Sequence, residues 1–526
     1  MRADTSAADA RRSALAAAVE RARNPPPPHA PATRVRGGGV QVRHLMQSGD
    51  TGRLVGDWGT TPVHADWIVS RYQRTLVARS REQVLNNDFA KAFLRIVRLN
   101  IVGPDGIRFY SQAMAGDKPD MRARDAINAA WSWWGRKENC DVAGMLSWVG
   151  IQRTLINTVA RDGEAFVQIV RGRDAGPAGI ALRLIDPQRC PVEYDRVDLG
   201  DGRFIRHGIE FNAYGRPLAY HFTDDAHERN ALGYSYNGRS YTPIAAADVV
   251  HLFVPEFPNQ KRGLPWTATG LFRAKQTQAM EDAAVVNARI GAAKMGFIEY
   301  DEGFGPEADE DESLFIDAEA GAFPELPQGA HIKEFNPQYP QGEYAPFVKQ
   351  MLRGYAAGGG VSYHSVSGDL ENVNFSSIRH GTLEEREGFK EMQEWLREDL
   401  CERVFEVVFP LLLLAGLVKD DKGVPLPAAK RTAYMACRWQ PRRWQWIDPR
   451  ADVNAAESWK NNLLTSPSQL IREQGRDPDQ VFAEIGQDYS AMLAAGIPAE
   501  VIAASMGQKI AGPAPGANKK PEGETE

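Results

Sequence analysis

Apolar residues recur at helical spacing over most of the chain. They predict a helix over residues 62–100, another over 123–160 and a long helix over 262–295, with Pro265 near its start where a missing N–H costs little. The apolar positions of the first helix are Val63, Trp67, Tyr72, Leu76, Leu85, Phe89, Phe93, Ile96 and Val97. The second helix carries Trp131, Trp133, Trp134 and Trp148, which we expect in the core.

One central stretch, residues 163–254, alternates apolar and polar residues instead. Short runs such as GEAFVQIVR and DVVHLFVP are separated by Gly, Pro and Asn turns, which predicts a β-rich module. A strand-rich module between helical segments indicates the α+β class.

Helical spacing returns in the second half of the chain. A helix is predicted over 343–357 with Tyr344, Phe347, Met351 and Tyr355 on one face. A long charged helix over 378–408 carries the apolar stripe Leu383, Met392, Leu396, Leu400, Val404 and Val407. The apolar run 407–418 contains Pro410 and is too short to cross a bilayer, so we expect a buried helix end and no membrane contact. A Trp-rich strand (437–449) and helices over 450–505 follow.

Composition narrows the function classes. The chain has 526 residues, which indicates two to four domains, and a net charge of −6, whereas a static nucleic-acid binder would be basic. Its four cysteines have no zinc-site spacing and suit a reducing compartment. Residues 1–40, with four successive prolines, and residues 512–526 are expected to be disordered.

Catalytic motifs are missing from the sequence. It contains no GxxxxGK[ST], HExxH or GxSxG pattern, so we predict no catalytic residue and no cofactor. The glycines Gly358, Gly359 and Gly360 lack dinucleotide-binding spacing and are interpreted as a flexible hinge. His364 and His380 have no carboxylate at a spacing that would orient either as a base.

An acidic run precedes the helix at 343. Its members are Asp301, Glu302, Glu307, Asp309, Glu310, Asp311 and Glu312. Carboxylates can hold a divalent cation, but this Gly/Pro-rich run lacks EF-hand spacing, and a solvated surface segment is the favoured interpretation. We therefore predict no metal site.

Several segments, in order, resemble the lambda-type bacteriophage portal protein family. The first, 75–109, carries Arg79, Arg81, Leu85, Asn86, Asn87, Ala90, Val102, Gly103 and Gly106 at the family's spacing. RDGEAFVQIV, IDPQRCPV and the 262–295 segment follow, and REQGRDPDQVFAEIGQD (472–488) lies near the end. The strongest match is VKQMLRGYAAGGGVSYHSVSGDLENVNFSSIRHGTLEERE, in which His364 stands where Glu is usual and Phe375 where Tyr is usual.

The resemblance covers about residues 60–490 and implies a portal fold with a helical and β-rich wing, a two-helix stem, a clip hairpin, a long wing helix and a helical crown. The implied segments are a disordered N-terminal arm (1–40), the wing (41–261), the first stem helix (262–295), the clip (296–342), the second stem helix (343–358), the tunnel loop (359–377), the long wing helix with a return strand (378–449), the crown (450–511) and a disordered tail (512–526).

The resemblance also implies the function: a non-enzymatic ring of about twelve copies at one capsid vertex of the virion, assembled in the host cytoplasm. Double-stranded DNA would pass through it, and the large terminase subunit, head-completion adaptors, the major capsid protein and scaffold would bind it. The implied tunnel-loop residues are Ser362, Tyr363, His364, Ser365, Ser367, Asn372, Asn374 and Ser376. The implied hinge is Gly358–Gly360, and the implied docking residues of the clip are Glu307, Asp309, Glu310, Asp311 and Glu312.

The composition of the tunnel loop suits a conduit. No Lys or Arg occurs between Val361 and Ser377, and these cations are the main source of affinity for phosphates. Two alternatives stay open: a metal-dependent nuclease that uses the 301–312 carboxylates, and another head–tail connector. Such connectors are shorter and lack a central β-rich module.

Overall fold

Helices and small antiparallel sheets alternate along the chain. The computed structural model describes residues 59–224, 234, 241–292, 296–301, 328–334, 344–371 and 373–505. The chain divides into two compact units, Met1–Val63 and His64–Glu526. Only residues 59–63 of the first unit are described, and every element below belongs to the second. The predicted disordered ends, 1–40 and 512–526, lie outside the described residues.

The predicted helix over 62–100 is two helices, α1 (Ala65–Asn86) and α2 (Asp88–Ile101). Asn87 between them has an extended backbone, and its side-chain oxygen accepts hydrogen bonds from the N–H groups of Phe89 and Ala90 at 3.0 and 3.1 Å. An asparagine in this conformation starts a new helix, so local capping overrides the continuous apolar spacing.

Three more helices and three short strands complete the first helical region. They are β1 (Arg108–Ser111), β2 (Met114–Ala115), β3 (Lys118–Pro119), α3 (Met121–Trp134), α4 (Lys137–Cys140) and α5 (Trp148–Asp162). The expectation that the tryptophans form core is confirmed: Trp131, Trp134 and Trp148 are buried, and Trp133 packs against the same cluster. The indole of Trp134 donates to the Ile180 carbonyl at 3.0 Å, so the one polar atom of this fully buried ring is satisfied.

The β-rich module is also confirmed. Its strands are β4 (Glu164–Arg171), β5 (Ile180–Ile185), β6 (Phe204–Arg206), β7 (Ile209–Phe211), β8 (Pro217–Thr223), β9 (Tyr241–Ala245) and β10 (Val249–Phe253). They form two antiparallel sheets, in the orders β10-β4-β5 and β6-β7-β8-β9. Phe166 of the first sheet packs on Tyr220 and Phe222 of the second, which gives this module its own small core.

The helix predicted from residue 262 begins at Leu271 instead and forms α6 (Leu271–Ala292). Residues 262–265 are irregular and 266–270 form turns, so Pro265 is not at the helix start. The cause is tertiary: Arg262 is fully buried against Glu164, and Gly263 lies so close to Gly163 that a Cβ there would be 2.0 Å from its carbonyl oxygen. This contact holds the backbone away from helical geometry.

The next elements flank the predicted tunnel loop. They are β11 (Gly296–Tyr300), β12 (Ala330–Glu334), α7 (Tyr344–Gly358), α8 (Tyr363–Ser367), α9 (Phe375–Leu396) and α10 (Arg403–Leu414). The two strands pair antiparallel. A π-helical turn at Arg397–Glu402 joins α9 to α10, so one continuous helix runs from 375 to 414. Val408, Phe409 and Leu412 are buried at its end, as expected for the apolar run, and no described helix could span a membrane.

The chain then returns to the first helical region. Strand β13 (Cys437–Gln440) pairs antiparallel with β1, after the short helix α11 (Arg431–Tyr434). Four helices follow: α12 (Pro449–Asn461), α13 (Pro467–Glu473), α14 (Pro478–Ala494) and α15 (Ala499–Ser505). The main core joins α2, α3 and α5 to the buried stripe Leu396, Leu400 and Val404 of the long helix.

Candidate functional site

The predicted tunnel loop, residues 359–377, contains more regular structure than its sequence indicates. Ser362 caps the one-and-a-half-turn helix α8, and its hydroxyl accepts from the Ser365 N–H at 3.2 Å. Gly368, in the left-handed region with φ 69°, ends that helix. Asn374 then caps α9 by accepting from the Ser376 N–H at 3.0 Å, so the long helix begins three residues earlier than the sequence indicates.

Asp369 is the centre of the first set of loop contacts. Its carboxylate accepts from Lys349 Nζ on α7 at 2.8 Å and from the Tyr363 hydroxyl at 2.9 Å. Its backbone carbonyl lies 2.8 Å from His364 Nδ1. The hydrogen bond from Lys349 is the largest cause that lowers the pKa of Asp369 to about 2, so the carboxylate is charged over the physiological range.

Glu385 on α9 is the centre of the second set. One of its oxygens accepts from the Ser362 N–H at 2.9 Å, and the other accepts from the Ser365 hydroxyl at 3.0 Å. The loop is therefore attached to a different helix on each side, to α7 through Asp369 and to α9 through Glu385. We name these two contact sets the loop anchors.

Two of the three predicted hinge glycines are at points of close approach. A Cβ on Gly358 would lie 2.6 Å from Thr269 Oγ1, and a Cβ on Gly359 would lie 2.7 Å from the Phe93 ring. Gly360 has no atom within 4 Å of a Cβ position, but its φ of +70° favours glycine. Packing therefore explains Gly358 and Gly359, backbone conformation explains Gly360, and the hinge stays a prediction.

The predicted tunnel-loop residues divide into two groups. Ser362, Tyr363, His364, Ser365 and Ser367 surround the loop anchors, where Ser367 Oγ donates to the Tyr363 carbonyl at 2.9 Å. Asn374 and Ser376 belong to the start of α9, and Asn372 lies outside the described residues.

The acidic docking residues Glu307, Asp309, Glu310, Asp311 and Glu312 also lie outside the described residues. Of the run predicted from 301, only Asp301 is described, and its carboxylate is 3.2 Å from His331 Nε2 in the β11–β12 hairpin. Over the described part of the chain, no group of three or more His, Cys, Asp or Glu side chains could hold a metal ion.

The side chains that anchor the loop were not predicted. Lys349 and Glu385 are among the charged residues of two helices, and their sequence gives no partner for them. Both join the loop from 20 residues or more away. Lys349 and Arg353 lie one helical turn apart on α7, and their charged groups lie 5.4 and 5.7 Å from the centre of the Tyr363 ring. Their spacing is the one local signal in the sequence that a polar face of α7 has a partner.

Two ion networks were also missed. The first, which is partly buried, fixes α1 against the β-rich module, and the second, which is buried, joins Arg262 to that module. Arg81 donates to both oxygens of Asp162 at 2.9 and 2.7 Å and to Asp186 at 2.8 Å. Glu164 accepts from Arg262 and lies 3.0 Å from His251 Nε2. Burial is the largest single influence and acts to raise the pKa of Glu164, but the charges and hydrogen bonds of Arg262 and His251 together outweigh it and lower the pKa to about 2.

Comparison with known proteins agrees with the sequence resemblance. The family model described as phage portal protein, lambda family, matches residues 51–393, which include both loop anchors. The chain is 33% identical to the probable portal protein of Halomonas phage phiHAP-1 over 446 residues, which cover 82% of this chain and 83% of the other. It is 22% identical to portal protein B of Escherichia phage lambda, over 80% of this chain and 84% of that protein.

A solved structure shows a weaker likeness. The neck of an empty GTA particle, computed with C6 symmetry, has a TM-score of 0.41 and 15% identity, over 81% of this chain and 99% of that chain. The α+β architecture and the family match both agree with the portal expectation, and neither supports the nuclease or the shorter connector. The chain belongs to the lambda family of phage portal proteins, which are structural components of the phage particle.

Proposed function

We propose that about twelve copies of this chain form a closed ring at one capsid vertex and that double-stranded DNA passes through its channel. The observation that carries this proposal is the family match over residues 51–393. In the proposed ring, the segment 359–377 narrows the channel around DNA, and α6 and α7 form the stem.

The chemistry around the loop supports this role. The nearest lysine, Lys349, is paired with Asp369 at 2.8 Å, so its charge is compensated inside the protein. The segment 359–377 itself offers hydroxyls, an imidazole, amides and carboxylates, which make weak or repulsive contacts with phosphates. A further cation beside it, Arg353 of α7, lies over the Tyr363 ring at 5.7 Å. A surface of this kind can touch a moving polyanion without holding it, because static affinity for DNA comes from unpaired Lys and Arg.

Exposed apolar residues support assembly with further copies. Phe272 of α6 is 73% exposed and lines a groove between α1 and α6, and Leu85 of α1 is 80% exposed. Helix α14 carries the exposed stripe Phe482, Ile485, Tyr489 and Leu493. Exposed apolar stripes are typical of interfaces. In a ring, head-to-tail contact with a neighbouring copy would cover it.

The finer partner assignments are part of the same proposal. The large terminase subunit and head-completion adaptors would dock on the clip, 296–342, through Glu307 and the acidic residues 309–312. The major capsid protein and scaffold would contact the outside of the ring. This assembly would take place in the host cytoplasm. The chain itself would hydrolyse no ATP, because the sequence has no phosphate-binding loop.

Cryo-electron microscopy of the purified full-length protein, with particles sorted by rotational symmetry, tests the proposal. The expected result is a closed ring whose channel is narrowest at residues 359–377. A monomer or dimer at every concentration, or a ring whose channel is narrowest elsewhere, contradicts it.

A further inference from the structure

A cleft of about 370 Å³ lies where three distant segments meet. It is lined by the turn 104–108 after α2, by residues 440–443 after β13 and by the turn 474–476 after α13. Four of its lining side chains are arginines: Arg108, Arg442, Arg443 and Arg476. We name this the arginine cleft. It is a local exception in a chain whose net charge is −6.

Two of the four arginines already have carboxylate partners. Arg108 pairs with Asp105, and Arg476 pairs with Glu484 at 2.8 Å. These pairs are largely exposed, and exposed ion pairs are weak, so a competing anion can displace them at low cost.

Arg442 and Arg443 have no carboxylate partner among the described residues. Arg442 Nη1 donates to the Leu99 carbonyl and to Asn100 Oδ1, and Arg443 Nη1 makes only a long contact, 3.5 Å, to Gln393 Oε1. Each guanidinium has five N–H donors, so most of the donors of both are left for another partner.

The backbone under these two arginines is firmly held. The buried Gln393 of α9 donates to the Arg442 carbonyl at 3.1 Å and to the Asn100 carbonyl at 2.8 Å. The stem of Arg442 lies on Gly103, where a Cβ would be 2.8 Å from Arg442 Cδ. The arginines are therefore positioned by the core, which is the arrangement of a preformed binding site.

Burial disfavours the charged form of Arg442 and Arg443. It lowers the pKa of both, although the charges of Glu394, Glu473 and Glu387 act to raise that of Arg443. A third arginine, Arg386, lies over the Trp444 ring at 5.6 Å, and Arg442 lies over the same ring at 5.9 Å. Burial lowers the pKa of Arg386, and the charge of Arg442 lowers it further. Half-buried like charges destabilise a folded protein, and such clusters are typical of sites that bind the opposite charge.

We infer that the arginine cleft binds phosphate groups of the DNA backbone. The planar guanidinium fork matches the geometry of a phosphate, and several arginines at one place favour a polyanion over a single carboxylate. The inference rests on the proposed function in that DNA must reach this surface. It differs from the proposed role of the tunnel loop, because the cleft would hold DNA where the loop lets it slide.

The first test is binding of a short labelled DNA duplex to the assembled protein by fluorescence anisotropy, between about 50 and 200 mM salt. In the variant Arg442→Gln/Arg443→Gln, the affinity should fall by about tenfold or more, and the log–log salt slope should become shallower by about two per site. The matched control Arg173→Gln/Arg216→Gln removes the same charge from exposed positions of the β-rich module and should bind as the parent protein does.

Wild-type protein provides a second readout that does not depend on a variant folding. The duplex should protect Arg442 and Arg443 from phenylglyoxal, as read by mass spectrometry of the peptides, and should leave Arg173 and Arg216 reactive. Unchanged affinity in the Gln variant, or no protection in the wild type, overturns the inference.

Ring formation, read by size-exclusion chromatography on the same samples, separates the inference from the proposed function. Two results together would show that the arginines bind carboxylates of a second copy instead. The Gln variant would lose rings that Arg442→Lys/Arg443→Lys retains, and DNA would not protect the wild-type arginines from phenylglyoxal. That outcome also overturns the inference. Wild-type rings without DNA contact at the cleft would refute only the cleft, whereas failure of the wild type to form rings would refute the proposed function.

Discussion

The tunnel loop and the arginine cleft use the same helix in opposite ways. Glu385 of α9 accepts hydrogen bonds from the loop, and Gln393, about two turns further along, holds the backbone of the cleft. At the loop, the cation Lys349 is paired with a carboxylate of the same chain. At the cleft, Arg442 and Arg443 pair with none in the described part of the chain.

The difference suggests an expectation for a polyanion. Affinity for DNA depends on cations that are free to release the counterions of phosphates, not on the total number of cations. If DNA reaches both regions as we propose, internal pairing should lower its affinity for the loop, and the lack of a carboxylate partner should raise its affinity for the cleft. The following predictions change one side of this comparison at a time.

The largest effect should follow deletion of residues 362–375. This removes α8, with one residue of the main core, Val366, and the loop contacts to Lys349 and Glu385. It leaves the rest of that core, which is formed by α2, α3, α5 and the long helix. We expect rings to assemble and packaged DNA to fall by at least an order of magnitude, as measured by nuclease-protected DNA in particles. Normal DNA yield would show that the loop does not act on DNA.

A cation added to the loop should make it resemble the cleft. Leu370 is 62% exposed, so Leu370→Lys adds a charge with little structural cost. We expect the affinity of the ring for duplex DNA to rise several-fold and DNA translocation to slow. The slope of log affinity against log salt concentration should become steeper by about one for each copy that contacts DNA. The control Leu370→Gln should leave the salt slope unchanged. A Lys variant with the parent slope would place residue 370 away from the DNA path.

Gly359→Ala tests whether the glycines serve packing or motion. The new methyl group would meet the Phe93 ring at 2.7 Å, and overpacking of this kind lowers the free energy of unfolding by about 1–3 kcal/mol. Gly381→Ala, on α9 with no atom within 4 Å, should instead stabilise by about 0.5–1 kcal/mol. Chemical denaturation measures both. Packaging loss in Gly359→Ala at unchanged stability would favour the hinge over the packing explanation.

The smallest effect should follow Asp369→Asn. The amide keeps the size of the carboxylate but loses the charge that attracts Lys349 at 2.8 Å. We expect faster hydrogen exchange over residues 362–369 and unchanged exchange in α10. Acid should act similarly in the parent protein: because the folded pKa is lowered to about 2, the contact is complete above the ordinary pKa of 3.8 and is lost as the pH falls through about 2. Unchanged exchange in the variant would mean that Glu385 holds the loop without Asp369.

Much of the architecture could be predicted from the sequence because its signals are local. Helical spacing of apolar residues, alternation in 163–254 and the buried tryptophans each depend on neighbours a few positions away. The absence of cations from 361–377 and the ordered family motifs are likewise properties of the linear chain, and they were sufficient to indicate a portal protein.

Tertiary structure alone decided where α6 begins and which charges meet. The start of α6 at Leu271 depends on the buried contact of Arg262 with Glu164, about a hundred positions earlier. The loop anchors join segments 20 to 23 residues apart, and the arginine cleft joins Arg108 to Arg442 across more than three hundred positions. No periodicity relates such residues. Whether a cation has a carboxylate partner is set by which surfaces folding brings together, and the proposed behaviour of both regions toward DNA depends on that pairing.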